Sequence, residues 1–364
     1  MSATQETAQR PGDRAATTSE EALLEQVRSA LDSKTPLRIQ GGNSKAFLGR
    51  AVAGQLLETR EHTGIVSYDP TELVVTVRTG TPVTELLAIL EEQGQTLPCE
   101  PPVFNGQATV GGMLASGLAG PRRPWVGSLR DFVLGTRVIT GQGRLLRFGG
   151  EVMKNVAGYD LSRLMAGSFG LLGVITEVSM KVLPKPVTSA HLDLDIPAEK
   201  ALQKLAEWGQ QPLPITGACY ADGLLKLRLE GGEGSVQAAM DYIGGEPLEA
   251  GFWEKLNERQ LDFFADERPL WRLSLPTNTP LVELPGDALL DWGGCQRWLK
   301  TEAPAEELQK LALSLGGHAT CQTPGITDSP FQPLTPLLAY YHRQLKAQLD
   351  PQGIFNPGRT YPGL

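Results

Sequence analysis

The chain has 364 residues, 41% hydrophobic and 20% charged, with a formal net charge of -8. That length exceeds what one core usually organises, so two domains are expected. Lys and Arg are nowhere concentrated and no apolar run approaches the ~20 residues of a spanning helix, which argues against nucleic-acid binding and a membrane span.

Residues 1–17 are polar and lack apolar periodicity, and are expected to form a mobile N-terminal tail. Glu6, Asp13, Glu20 and Glu21 precede any apolar run, which does not suit a signal peptide, so a cytoplasmic location is expected. Thr18 and Glu21 have capping-box spacing ahead of Leu23, Leu24, Val27 and Leu31, which recur at helical intervals. Residues 37–39 read as a short strand running into Gly41-Gly42-Asn43-Ser44-Lys45. Residues 65–68 and 73–77 are β-branched runs around the turn signal Asp69-Pro70. Thr81 before Pro82 predicts a helix start, with Val83, Leu86, Leu87 and Leu90 buried and Gly94 ending it. Residues 37–94 thus read as one compact α/β lobe.

A second lobe follows. Residues 132–140 and 144–148 predict a hairpin, and the alternation from Val174 to Val182 predicts a half-buried strand. Pro184-Lys185-Pro186 marks a domain boundary, dividing 18–186 from 187–364. Beyond it, strands and helices alternate. Asp222-Gly223 marks a hairpin, Ser235 begins a helix, and Gly293-Gly294 separates two strand-like runs. A helix over 306–315 precedes a strand near 319–321. This grammar predicts an antiparallel sheet covered on one face by helices. Thr335-Pro336 starts a last helix, and residues 353–358 form a fixed tail. The class is α+β.

Three glycine clusters carry the chemical signal. Gly41-Gly42-Asn43-Ser44-Lys45 could present backbone N–H groups, a hydroxyl and a cation to a phosphate, although the same residues also make ordinary turns. Gly106, Gly111, Gly112, Gly117 and Gly120 punctuate a small-residue run containing Ala115, Ser116, Leu118 and Ala119. Gly158, Gly167, Gly170 and Gly173 make the third. Glycine inside elements costs ~0.5–1 kcal/mol against Ala, so three clusters point to close backbone approach by a large, flat, phosphate-bearing ligand. No G-x-G-x-x-G opens a helix after a strand, and no Walker A pattern occurs.

Gln40-Gly41-Gly42-Asn43-Ser44, Thr109-Val110-Gly111-Gly112, Gly158-Tyr159-Asp160-Leu161 and the run from Gly170 to Glu177 resemble the FAD domain of the vanillyl-alcohol oxidase and p-cresol methylhydroxylase flavoproteins. Asp350-Pro351 and Phe355-Asn356-Pro357-Gly358 resemble that family's usual ending. Within it, the run from Val152 to Asp160 is similar to the FAD-binding subunits of bacterial glycolate-oxidising complexes. The resemblance implies a two-lobed FAD-binding domain of p-cresol methylhydroxylase type followed by a smaller cap. It implies that Gly41, Gly42, Asn43, Ser44 and Lys45 wrap the pyrophosphate. Thr109, Gly112, Ser116, Gly117, Leu118 and Ala119 would line the flavin and ribityl chain, and Ile175 the adenine end. It also implies a small 2-hydroxy acid as substrate, a second, larger FAD subunit and an iron–sulfur subunit as partners, and contact with a membrane only through them.

Departures from the family pattern refine this. Relatives that attach FAD covalently use a His in the slot held here by Asn43, and the surroundings of Cys99 do not match a second attachment point, so FAD is expected to be non-covalent. His62, His191, His318 and His342 do not pair at ligand spacing, so no metal site is expected in this chain. Cys99, Cys219, Cys295 and Cys321 lie too far apart for a cluster. Arg122, Arg123 and Arg359 are candidate carboxylate clamps, with Arg122 and Arg123 also readable as a solvated loop. No catalytic residue stands out. A non-catalytic electron-relay subunit and a stand-alone flavin oxidase stay open as alternatives.

Overall fold

A computed structural model describes residues 11–150, 160–249 and 251–364. Helix α1 (Pro11–Ser33) begins at Pro11, a residue suited to a first helical turn, rather than at Thr18, which lies inside it; residues 11–17 of the expected tail are therefore helical. Leu23, Val27 and Ala30 form its buried stripe, packed with Leu37, Leu57, Ile354 and Phe355. Strand β1 (Leu37–Gln40) pairs in parallel with β2 (Gln55–Glu58). The sequence pattern hides β2, since Leu57 alone of its side chains is buried.

β3 (Ile65–Asp69) and β4 (Val74–Arg78) follow, then α2 (Val83–Glu91), β5 (Gln95–Thr96), α3 (Val110–Ser116) and α4 (Arg123–Val126). β6 (Val133–Ile139) and β7 (Leu145–Gly149) form the expected hairpin. After α5 (Leu161–Leu164) come β8 (Val174–Lys181) and β9 (Leu183–Pro184). Thr81 does not cap α2. Its hydroxyl accepts from Gly64 N at 2.9 Å, and Pro82 takes the cap position.

The expected lobe division is corrected by strand order. One five-stranded sheet runs β3-β4-β8-β6-β7, so β8 inserts between β4 and β6 and joins the two expected lobes. The true smaller lobe is α1 with β1 and β2. β8 is accordingly not half-buried: Val174 to Met180 are buried on both faces. Its polar side chains are satisfied across the sheet. Thr76 and Ser179 share a hydroxyl bond of 2.8 Å, and Glu177 accepts from Arg137 and Arg147 at 3.3 and 3.0 Å.

The second unit comprises β10 (Thr188–Leu194), α6 (Ala198–Trp208), β11 (Ile215–Ala221), β12 (Leu224–Gly231), α7 (Glu233–Ile243), β13 (Glu246–Pro247), α8 (Phe252–Asn257), α9 (Asp262–Ala265), β14 (Leu270–Ser274), β15 (Asp287–Asp291), β16 (Gln296–Lys300), α10 (Ala305–Ser314) and β17 (His318–Cys321). Its strands form one antiparallel sheet, ordered β13-β10-β12-β11-β15-β16-β14-β17. Asp222 (φ 55°) and Gly223 (φ 80°) make the tight β11–β12 turn. Ser235 lies inside α7, whose cap is Gly232.

Helices cover both faces of this sheet, not one. Alternate residues point oppositely: Ala218, Leu227 and Trp271 meet α6, α7 and α10, whereas Cys219, Leu289 and Trp298 meet α8 through Phe252, Trp253 and Leu256. The α8 face turns toward the first unit. Glu258 accepts from Val103 N and Phe104 N at 2.7 and 2.6 Å, and Trp292 Nε1 donates to Gly120 O at 3.1 Å.

The chain then returns. Thr335 caps α11 (Pro336–Leu349), as its sequence predicts. Leu345 and Leu349 of α11 pack on the core of the five-stranded sheet. Lys346 Nζ donates to Leu171 O, Phe355 O and Asp350 Oδ2 at 2.8, 2.7 and 2.7 Å. Phe355 bridges Leu37 in parallel. Residues 336–364 therefore pack against the first unit, although they follow the cap in sequence.

Candidate cofactor-binding site

Beyond Gln40 the backbone turns sharply against residues 107–109. A Cβ on Gly42 would lie 1.6 Å from Gln107 O, and one on Gly41 would lie 2.3 Å from Thr109 Oγ1. Only glycine permits this approach. Asn43 takes a left-handed conformation at φ 56°, which Asn tolerates better than most side chains. Thr109 caps α3, its hydroxyl accepting from Gly112 N at 3.3 Å.

Between these loops lies a cleft of about 330 Å³. Gly41, Gly42, Asn43, Ser44, Lys45, Thr109, Gly112 and Ser116 line it, all expected from the sequence. Ile175 lines an adjoining cavity of about 80 Å³ that shares Ile39, Gly41, Ala115 and Asn356 with the cleft. The sequence reading missed Arg38, Phe169, Asn356 and Arg359 as walls. Asn356 joins them: its Nδ2 donates to Phe169 O at 2.7 Å and its Oδ1 accepts from Ile39 N at 2.8 Å. The Phe355-Asn356-Pro357-Gly358 motif was the available signal.

The cleft is cationic. Arg38, Lys45 and Arg359 line it, and among the described residues none of them forms an ion pair with a carboxylate. Burial lowers Lys45 to about 8, with Glu258 pulling upward and Arg259 downward. Burial also lowers Arg359. Its Nη1 and Nη2 donate to Arg50 O and Lys45 O at 3.1 and 3.3 Å, which pins the loop after Lys45.

Gly117, Leu118 and Ala119 do not line this cleft. Gly117 ends α3 at φ 64°, and a Cβ there would lie 3.3 Å from Gly167. Leu118 and Ala119 border a separate small pocket against the cap, beside Asn257, Arg259, Arg272, Asp291 and Trp298. The two spaces are linked through Phe104, which carries Lys45 Nζ at 5.3 Å and the Arg259 guanidinium at 5.5 Å.

Among the other candidates, Arg122 is not in a solvated loop. It pairs with Glu100 and Glu230 at the unit boundary. Arg123 lies over the Trp292 ring at 4.6 Å. Cys99 is fully buried in the first core, where burial pushes its thiol up to about 12. His62 pairs with Ser19 Oγ and His191 with Ser189 Oγ, while His342 Nδ1 contacts Leu338 O. Among the described residues no group of His, Cys, Asp and Glu could hold a metal ion. The motif from Val152 to Tyr159 lies outside the described residues; Asp160, which follows it, caps α5.

A glycine-walled cleft with three cations and a narrow side cavity suits a dinucleotide with a flat ring, and the antiparallel cap approaches it through Arg259, which lies over the Phe47 and Phe104 rings. These features define an FAD-binding flavoprotein. Residues 14–149 match the family described as FAD binding domain. The chain is 60% identical over 344 residues to the glycolate oxidase subunit GlcE of Escherichia coli (strain K12), covering 94% of this chain and 98% of that one. It belongs to the family of that subunit. It is also 32% identical over 181 residues to the glycolate oxidase subunit GlcD of Bacillus subtilis (strain 168), covering 46% of this chain and 38% of that one. A solved structure of alkyldihydroxyacetonephosphate synthase superposes with a TM-score of 0.65 at 18% identity, covering 93% of this chain and 74% of that one, which establishes the shared fold.

Proposed function

We propose that this chain is the FAD-bearing, GlcE-type subunit of a complex that oxidises glycolate to glyoxylate. Its partners in this reading are a second, larger FAD subunit and an iron–sulfur subunit that receives the electrons. The observation that carries it is 60% identity spanning nearly the whole of both chains, over a cleft suited to FAD.

Residues 41–45 would hold the pyrophosphate through backbone N–H groups and the Lys45 charge, with Arg38 and Arg359 beside them. Thr109, Gly112 and Ser116 would run along the ribityl chain, Ile175 beside the adenine end, and Gly117, Leu118 and Ala119 at the flavin edge nearest the cap. Bound FAD would supply two-electron acceptance from the acid and one-electron release to a partner. Asn43 offers no nucleophile in the attachment slot, and Cys99 is sealed in the core, so the cofactor is held without a covalent bond. No helix among the described residues is long and apolar enough to cross a membrane, and membrane contact would come through the partners.

The test is the visible spectrum of the purified chain before and after anaerobic glycolate. Flavin bands that bleach support a substrate site in this chain. Bands that persist until the partner subunits are added assign oxidation to a partner. Absence of any flavin band after FAD addition overturns the reading.

A further inference from the structure

Helix α11 faces two ways. Leu345, Lys346 and Leu349 hold it to the first unit, whereas Leu337, Leu338, Tyr340 and Tyr341 stand 62, 48, 51 and 57% exposed. Single exposed apolar side chains are ordinary, but four within five residues of one helix make a patch. Residues three and four apart share a helix face. Leu338, Tyr341 and Leu345 therefore form a continuous stripe, with Leu337 beside it on the Tyr341 side.

The stripe runs into an open cavity of about 300 Å³. Leu345 and His342 line one side of it, and Leu164, Leu172, Phe331 and Tyr361 line others. Its rings follow one another: Phe169 and Phe331 lie 5.4 Å apart between centroids, Phe331 and Tyr361 6.0 Å, and Tyr361 and His342 6.4 Å. The Tyr361 hydroxyl already donates to Gln332 O at 3.1 Å, and Lys346 is held by three oxygens of this chain. What the wall offers an incoming group is therefore mainly carbon and ring, the setting in which a buried apolar anchor contributes most to association.

Charge decides what enters. Arg343 is exposed and lines a second open cavity, of about 230 Å³, which shares Tyr361 and Leu364 with the first. Residues 336–349 include His342, Arg343 and Lys346 and no carboxylate, in a chain of net charge -8. The helix is locally basic on an acidic protein. A second copy meeting it across a two-fold axis would set His342 and Arg343 against their own kind. A different protein, with carboxylates around an apolar knob, complements both the charge and the hollow.

We propose that the outer face of α11 and the adjoining cavity are the docking surface for another subunit of the complex, which inserts an aliphatic or aromatic side chain into the cavity and sets carboxylates near Arg343. This rests on the multi-subunit reading above and adds where assembly occurs. Phe169 lines both this cavity and the cofactor cleft, so the docked subunit lies one side chain from the cofactor.

The test is co-expression of the tagged full chain with the other subunits of its complex, followed by affinity capture and gel filtration. The double variant Leu337→Glu, Tyr341→Glu is expected to retain at least tenfold less partner than the wild type. Arg343→Glu should weaken retention several-fold, and more at low salt than at high salt. Leu313→Glu, at a side chain 63% exposed on α10, is the control and should retain partner fully. Unchanged thermal melting verifies that each variant is folded. A photo-crosslinking residue placed at Tyr340 should link to another subunit. Full retention by the folded double variant overturns the surface. So does a dimer of the isolated chain, or its binding to anionic lipid vesicles, that the double variant abolishes while assembly with the other subunits stays intact. If the wild type retains no partner, the multi-subunit reading falls and the surface with it. If wild type and double variant retain partners equally, the surface alone fails.

Discussion

Arg122, just ahead of α4, and Glu230, in β12, meet across the boundary between the two units, Arg122 Nη2 donating to both carboxylate oxygens at 2.7 and 2.6 Å. Arg228 lies alongside, 2.9 Å from Glu100 and 3.2 Å from Glu230, and the Thr216 hydroxyl also donates to Glu230. Two cations and two anions thus alternate in a nearly closed interface, with no side chain of the four more than 21% exposed. The cap is keyed to the FAD domain by charge as well as by α8.

Removing one member should be costly because its partners stay buried. Glu230→Ala leaves two arginines short of one counter-charge, with an expected loss of ~3 kcal/mol. Urea unfolding gives the figure. The double variant Arg122→Met, Glu230→Met should lose less than Glu230→Ala, since it deletes charge in pairs. A larger loss would contradict the pairing.

Gly42→Ala should disrupt the cofactor cleft. The new Cβ meets Gln107 O, a backbone atom that cannot swing aside, so the two loops must separate. A cost of ~1–3 kcal/mol is expected for such overpacking, with lower flavin content after purification. Gly353→Ala is the control. Both positions are glycine, but Gly353 sits at φ 67° with open space around its Cα, so alanine there strains the backbone and leaves the cleft intact.

The cleft was legible where local chemistry dictates it. Two adjacent glycines after a strand, and Thr109 spaced to cap Gly112, are short-range patterns with a direct steric meaning. Arg359 and Asn356 were missed as cleft residues because they reach it from 314 or more positions away. The lobe division failed for a related reason: alternation in residues 174–182 announces a strand but not its neighbours, and β8 turned out to lie between β4 and β6. Its Glu177 and Ser179 mimic a solvent face and are instead buried against partners.

FAD affinity should fall with rising pH. Lys45 is held near 8 in the free protein, so below that value it presents a full charge to the pyrophosphate and above it progressively less. Fluorescence titration with FAD should show nearly constant affinity up to about pH 8 and weakening beyond. Lys45→Met should bind about tenfold more weakly, the scale of one charge-assisted contact, and lose that pH dependence.

Asp291 should make stability depend on pH in the opposite sense to an ordinary ion-paired carboxylate. Burial pushes it up to about 7 from its ordinary 3.8, so the folded chain holds a proton that the unfolded chain releases. Its stabilising effect is complete below about pH 4 and is lost as pH rises toward 7, at no more than ~1.4 kcal/mol per pH unit. Urea midpoints of the wild type and Asp291→Asn at pH 5 and 7.5 check this. The substitution should flatten the decline.

Because Asn356 and Arg359 help wall the cleft that Gly41 and Lys45 begin, the site is finished only when the last of these has left the ribosome. A nascent chain that has emerged through its cap still offers a gap where those two side chains belong. The cofactor cleft thus ties distant parts of the chain together, because residues 356–359 close walls that residues 38–45 begin.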